Sequence, residues 1–323
     1  MVGDMDASRD DIMANARRAL DGSSDASLLE AIAQLEHAAA LGCGEAVARQ
    51  AGLLAAGVHQ RPDWDRMHQR PDWDRSVDLL QRAAELGYAP ALTELRLMAG
   101  DAEPGAAPAA LRSRIDIREL VRPRPAQTAK SAPRIRIVPA LFSAPECRWL
   151  ISRAQSRLAP AAVYDNAMAG AVVIDERSNS EAAFGLAHLD VMLIFLRTRI
   201  AHSIGAPSHH LEQASVLHYA VGQQFAPHFD YLDPAMPGQA VDLARRGQRV
   251  ATALVYLNDG YDGGETDFPR LGWRYRGAPG DALVFDNVDR TLTPDPRTYH
   301  AGLAPTRGEK WLLSQWVRDR PAA

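Results

Sequence analysis

Apolar positions recur at helical spacing over the first hundred residues and at strand spacing over the last two hundred. LLEAIAQLEHAAALGCGEA (28–46) and SVDLLQRAAELGYAPA (76–91) both carry a helix-period stripe that runs into a glycine, Gly42 and Gly87. RIRIVPALF (134–142) alternates as a strand should. SAPECRWLISRA (143–154) then opens a helix with a capping box, Ser143 and Glu146. A long apolar helix is predicted over 184–205. After it come short strands at 213–220, 226–232, 249–257, 281–286 and 310–317, punctuated by Asp262-Gly263-Gly264 and Pro279-Gly280. Helices first and many short strands afterwards predict two parts. An all-α N-terminal region of helical repeats would span 1–100, and a double-stranded β-helix (jelly roll) with covering helices would span 134–320.

The two helical segments end alike, in AAALG and AAELG, 45 positions apart. Between them stands a direct nine-residue duplication, HQRPDWDRM (59–67) and HQRPDWDRS (68–76); without it the offset is 36, a period typical of helix-pair arrays. The pattern A-A-x-L-G-x-x-x-A resembles the Sel-one-like subgroup of tetratricopeptide-type repeats, which implies a surface for another protein. The duplication, with Trp64 and Trp73 in identical settings, is expected to lengthen a loop, and His59 and His68 to face solvent. Residues 101–133, rich in Ala, Pro and Arg, read as a linker with one strand at 115–120. Their arginines either meet an acidic partner or are simply solvated.

Composition narrows the classes. Net charge is −4, which argues against nucleic acid as a partner, and no apolar run is long enough to span a bilayer. Two cysteines, Cys43 and Cys147, make no disulfide framework and suit a reducing, cytoplasmic setting.

The chemistry concentrates in PHFDYLDP (227–234). On an extended chain His228 and Asp230 project to the same face and can share an ion. A second His-x-Asp, His188 and Asp190, falls in the expected long helix, where positions i and i+2 diverge by about 200°, and is read as incidental. His300, beyond a proline-rich loop, supplies a third ligand. Two histidines and one carboxylate form the facial triad that holds non-heme Fe(II) with open positions. Lys310 opens an otherwise apolar strand, either as an ordinary charged strand end or as the anchor of an anionic co-substrate.

The ordered set Tyr219-x-x-Gly222, Phe225-x-x-His228-x-Asp230, ATALVYLND (251–259), GGETDFP (263–269), GDALVF (280–285), His300-Ala301-Gly302 and GEKWLLSQW (308–316) resembles the prolyl 4-hydroxylase family of Fe(II)- and 2-oxoglutarate-dependent dioxygenases. The resemblance is dense from 212 to 316 and does not reach the repeats. It implies His228, Asp230 and His300 as iron ligands and Lys310 as the grip on the distal carboxylate of 2-oxoglutarate. It also implies that the Tyr219 and Thr266 hydroxyls help hold that co-substrate, with core packing the alternative for Tyr219. Phe225, Tyr231 and Trp316 would face the substrate, a core role being the alternative for Trp316. Arg249, Asn258 and Asn287 would stabilise loops and barrel ends.

The implied reaction consumes 2-oxoglutarate and O2, with ascorbate in support, and hydroxylates a proline in a peptide or protein recruited by the repeats. Phe225 stands where relatives carry tyrosine, His218 where they carry arginine, and the loop 233–247 expected to overhang the site is idiosyncratic. A free amino acid or small metabolite is therefore the alternative substrate, and a non-catalytic scaffold the third reading.

Overall fold

The computed structural model describes residues 8–22, 24, 26–58, 71–100, 105–161, 163–165, 170–172 and 177–321. Two units divide the chain: Met1–Val121 with Phe184–Leu196, and Arg122–Ala183 with Arg197–Ala323. No helix among the described residues is long and apolar enough to cross a membrane.

In the first unit lie α1 (Arg9–Leu20), α2 (Leu28–Ala40), α3 (Gly44–Ala55), α4 (Trp73–Glu85), α5 (Ala89–Ala99), α6 (Pro108–Arg114) and α7 (Ile117–Leu120). The two segments with matching sequence share one local construction. At the end of α2, Cys43 N–H reaches Ala38 O and Gly42 N–H reaches Ala39 O; at the end of α4, Tyr88 and Gly87 repeat both bonds to Ala83 and Ala84. This double closure needs a left-handed residue, and Gly42 and Gly87 supply φ of 78° and 84°. Alanines such as Ala38, Ala51 and Ala83 fill the interior, so helices approach closely. At Gly44 any Cβ would sit 2.9 Å from Tyr88 Cβ.

Several expectations are corrected here. Trp73 does not sit in a lengthened loop but opens α4: Asp72 caps the helix by accepting Arg75 N–H, and the Trp73 indole donates to Ala55 O at 3.3 Å. His59, Trp64 and His68 lie outside the described residues. The stretch 101–133 is not a plain linker, since Pro108 starts α6 and Leu111 buries itself. The strand expected at 115–120 is a helical turn because Asp116 accepts the Arg118 and Glu119 N–H groups. Arg112 is paired with Asp78 and Asp74 at 2.7 and 3.2 Å, so it is not free to serve an acidic partner.

The second unit begins with β1 (Gln127–Ser131), β2 (Arg134–Val138), α8 (Ala144–Gln155), β3 (Ala159–Pro160), β4 (Val163–Asp165), β5 (Gly170–Val172) and β6 (Ser180–Phe184). The apolar helix expected over 184–205 is shorter. Phe184 ends β6, a 3-10 turn covers Leu186–His188, and α9 (Val191–Ile204) follows. Glu94 caps it by accepting Met192 N–H at 3.0 Å. His188 and Asp190 thus precede the helix, and Asp190 pairs with Arg49 at 3.8 Å.

Then come β7 (Ala214–Tyr219), β8 (Phe225–His228), α10 (Pro237–Arg246), β9 (Arg249–Tyr256), β10 (Asp262–Gly263), β11 (Thr266–Phe268) and β12 (Trp273–Tyr275). The chain closes with β13 (Ala282–Asp286), β14 (His300–Gly302), β15 (Pro305–Arg307) and β16 (Lys310–Arg318). An eight-stranded antiparallel sheet has the order β1-β2-β13-β9-β16-β7-β6-β3, and a four-stranded one the order β12-β11-β14-β8. Both share one core. Leu217, Tyr219, Leu254, Tyr256, Phe285 and Leu312 of the larger sheet pack with Phe268 of the smaller, as two sheets packed face to face require. The other face of the large sheet is covered as well: Ala201 of α9 packs with Ala251 and Val317. Central strands β9, β13 and β16 are therefore buried on both faces, which is why their sequences read as apolar runs.

Gly280, just ahead of β13, passes close to the backbone of Phe142. It has φ of 91°, and a Cβ there would lie 2.0 Å from Phe142 O. Gly272, φ 56°, has open space around it. Gly280→Ala should cost about 3 kcal/mol or more in urea denaturation, and Gly272→Ala about 1 kcal/mol, the left-handed penalty alone. Equal losses would contradict the close approach at Gly280.

Candidate metal centre

β8 and β14 pair antiparallel with His300 opposite His228. The strand ends at His228, so Asp230 lies just past it and not within it. The carboxylate still reaches both rings: Oδ1 is 3.6 Å from His228 Nε2 and Oδ2 is 3.6 Å from His300 Nε2. One ligand atom from each of the three lies within 4.8 Å of the others, the sole such group of three found among the described residues.

Backbone carbonyls fix the tautomers. His228 Nδ1 is 2.8 Å from Ala226 O, and His300 Nδ1 is 2.9 Å from Thr298 O. A carbonyl can only accept, so each Nδ1 carries the proton and each Nε2 offers a lone pair to the centre. Burial would raise the Asp230 pKa, but the facing His300 and His228 rings and the Thr252 hydroxyl, 2.6 Å from Oδ2, hold it well below the carboxylate range. Burial, then the charge of His228, pushes His300 down to about 4. At neutral pH the His300 imidazole is therefore neutral and Asp230 is a carboxylate.

Lys310 begins β16 opposite Tyr219 on β7. It is fully buried, and its ammonium has no hydrogen-bond partner among the described residues. The Tyr219 ring lies 4.8 Å from Nζ. Burial lowers its pKa to about 7, against the weaker pull of Glu265. Tyr219 is buried too, which raises its phenol pKa. Tyr256 gives its proton to Tyr275 O and so accepts one from Thr266 Oγ1 at 2.8 Å, leaving Thr266 lone pairs for a donor.

One cavity is lined by all six of these residues together with Phe225, Trp316, Arg177 and Glu181. Phe225 stacks on His228 at 3.6 Å, with the Arg177 guanidinium 4.7 Å from its ring. Arg249 lies 3.5 Å over the Trp316 ring and grips Glu212 through two nitrogens, at 2.7 and 3.2 Å. Tyr231 is not among the residues that line this cavity; its ring lies 4.6 Å from that of Phe229, tilted by 31°. The segment 233–247 also departs from expectation. Instead of an open overhanging loop it forms α10, pinned by Asp242 to Arg318, and none of its residues lines the cavity.

Sequence reading missed Thr252, Arg177 and Glu181. Thr252 shares a strand face with Leu254 and Tyr256, and a polar residue in that inward set was the available signal. Arg177 and Glu181 lie in a tract without periodicity.

Two imidazoles and a carboxylate are the donor set of non-heme Fe(II) oxygenases, and an unpaired buried cation in the same cavity suits an anionic co-substrate. A facial-triad oxygenase is thus the class that fold and site define. Relatives narrow it further. The family model of the 2OG-Fe(II) oxygenase superfamily matches residues 214–318. Prolyl 4-hydroxylase 1 of Arabidopsis thaliana is 32% identical over 205 residues, 58% of this chain and 70% of that protein. Probable prolyl 4-hydroxylase 10 of the same plant is 30% identical over 206 residues, 58% of this chain and 69% of its own length. The viral collagen prolyl hydroxylase from Paramecium Bursaria Chlorella virus-1, solved with 2OG, is 26% identical. It aligns with a TM-score of 0.43 over 57% of this chain and 94% of its own. The chain belongs to the prolyl 4-hydroxylase-like 2OG-Fe(II) oxygenases, dioxygenases that use Fe(II), 2-oxoglutarate and O2.

The unpaired Lys310 has a measurable signature. Its pKa is about 7 in the folded ligand-free protein and about 10.4 when unfolded. Between those values the unfolded chain binds the extra proton, so stability rises with pH, by up to about 1.4 kcal/mol per pH unit. Urea denaturation of ligand-free protein from pH 7 to 9 should show this rise, and Lys310→Met should remove it. Identical slopes would mean that the ammonium is neither buried nor unpaired.

Proposed function

We propose that the chain hydroxylates a proline within a peptide or protein. His228, Asp230 and His300 hold Fe(II), Lys310 takes the distal carboxylate of 2-oxoglutarate, and the Tyr219 and Thr266 hydroxyls assist it. When bound, the iron supplies the oxidising chemistry by which O2 and 2-oxoglutarate convert a C–H bond to C–OH with release of succinate and CO2. The protein's own contribution is placement. Register and carbonyls aim three ligands at one point, and Phe268 and Phe285, with rings 5.7 and 4.7 Å from His300, limit water there. Phe225, Trp316 and Arg249 form the wall on the substrate side.

The observation that carries this reading is Lys310. A fully buried cation with no partner in the cavity of the His-Asp-His set is stabilised by an anion placed there. Ascorbate would support turnover, as is typical of the family. The double-stranded β-helix topology, the Sel-one-like repeat character of α2–α5 and recruitment of the protein substrate by those helices belong to the same proposal. A cytoplasmic location is supported by Cys43 and Cys147 both being free thiols. A free amino acid or small metabolite is the second reading. It is favoured by Phe225, which lacks a hydroxyl, and by the Arg177–Glu181 ion pair, closed at 2.8 Å, in the lining of the cavity.

Succinate formation by anaerobically iron-loaded protein should rise with proline-containing peptides, each gaining one oxygen in mass, and vanish in His300→Ala. Lys310→Ala should raise KM for 2-oxoglutarate on the order of 100-fold, the loss expected for one partner of a buried charge pair. Turnover driven by free amino acids and by none of the peptides would select the second reading.

A further inference from the structure

Behind the centre lies a pair of polar side chains that touch neither cavity nor solvent. Thr252, on β9, and Asn287, just past β13, are both fully buried. Asn287 Nδ2 is 3.0 Å from Thr252 Oγ1, and Thr252 Oγ1 is 2.6 Å from Asp230 Oδ2. We propose that Asn287 and Thr252 form a directed hydrogen-bond relay that positions the Asp230 carboxylate and thereby sets the metal affinity of the centre. This rests on the assignment of His228, Asp230 and His300 as the ligands.

The direction of the relay follows from proton count. A carboxylate only accepts, so across 2.6 Å the single hydroxyl proton of Thr252 must point at Asp230; otherwise two oxygen lone pairs would face each other. Thr252 Oγ1 is then an acceptor on its other side, and Asn287 must present its NH2 group. That orientation leaves Asn287 Oδ1 buried with no partner among the described residues. An orphaned buried carbonyl costs stability, and an apolar residue of similar size would not incur it. Asparagine at this position therefore serves the relay at the expense of the core.

The same residue also reaches the other arm of the centre. Its N–H donates to Val250 O at 2.8 Å, and its C=O accepts Asp295 N–H at 3.0 Å. Asp295 O accepts from Thr298, through the N–H at 3.0 Å and Oγ1 at 2.7 Å, and Thr298 O is the acceptor that fixes His300 Nδ1. Asn287 thus holds Asp230 through Thr252 and His300 through the 295–298 turn. The hydroxyl bond fixes the plane of the carboxylate and draws charge from Oδ2, leaving Oδ1 the more basic donor.

The test uses Co(II) as probe, titrated into the metal-free 323-residue chain, with the visible spectrum of the bound ion and the thermal midpoint of the metal-free protein as further readouts. Thr252→Val should weaken Co(II) binding 10- to 100-fold and shift its spectrum, while Thr252→Ser stays within about threefold of the parent. Asn287→Asp, isosteric but accepting, should draw the hydroxyl proton away from Asp230 and match the valine variant. Asn287→Leu should lose affinity without lowering the metal-free thermal midpoint, an outcome that a purely structural role forbids. Parental affinity and spectrum in Thr252→Val and Asn287→Leu would overturn the relay alone. A parent that binds Co(II) no better than His300→Ala would overturn the ligand assignment, and the relay with it.

Discussion

The antiparallel register that places His300 opposite His228 is the constraint on which the centre depends. Side chains alternate along strands, so a slip of one residue on either β8 or β14 would turn a histidine out of the cavity. Everything around the pair protects that register. Phe225 stacks on one ring, Phe268 and Phe285 enclose the other, and β11 holds β14 from its far side through Thr266 and Asp267. The same pairing brings Thr266 near the bottom of the cavity, where Lys310 arrives from the opposite sheet.

Charge is the second organising influence. Glu212 is buried among Arg249, Arg318 and Arg246, and burial, which would raise its pKa, is outweighed by Arg249 and Arg318, so the carboxylate stays ionised. Arg318 is itself fully buried and spends its nitrogens on Glu212, Gly247 O and Asp242. This network ties α10 to the base of β16 and sets Arg249 flat on Trp316. Removing any one partner would strand a charge, so the network acts as a unit and specifies a single arrangement of the cavity wall at Trp316.

Much of the architecture was legible because local signals agreed with the tertiary outcome. The capping box at Ser143 and Glu146, the glycines at 42 and 87 and the strands expected at 213–220, 249–257, 281–286 and 310–317 form close to their expected bounds, whereas the strand expected at 226–232 stops at His228. The candidate ligands were legible because a strand's period of two is visible in His-x-Asp, and the geometry converges even though Asp230 lies beyond the strand end. What escaped depends on long-range partners. Whether 184–205 is one helix depends on Glu94, nearly a hundred positions away, which caps α9 at its true start. Whether 115–120 is strand or helix depends on a single Asp116 cap that β-branched propensity obscures.

On the proposed assignment, the solitary ammonium of Lys310 makes the protein's persistence a function of metabolite supply. A copy without a dicarboxylate keeps a buried amine without a partner in its interior and opens more readily. A copy with one at 100 times its dissociation constant gains about 2.7 kcal/mol, roughly a hundredfold fewer unfolded molecules at any moment. Proteases that act on the opened chain would then remove starved copies faster than supplied ones. The residue that orients the co-substrate would so couple the lifetime of the chain, as well as its rate, to the carbon state of its surroundings.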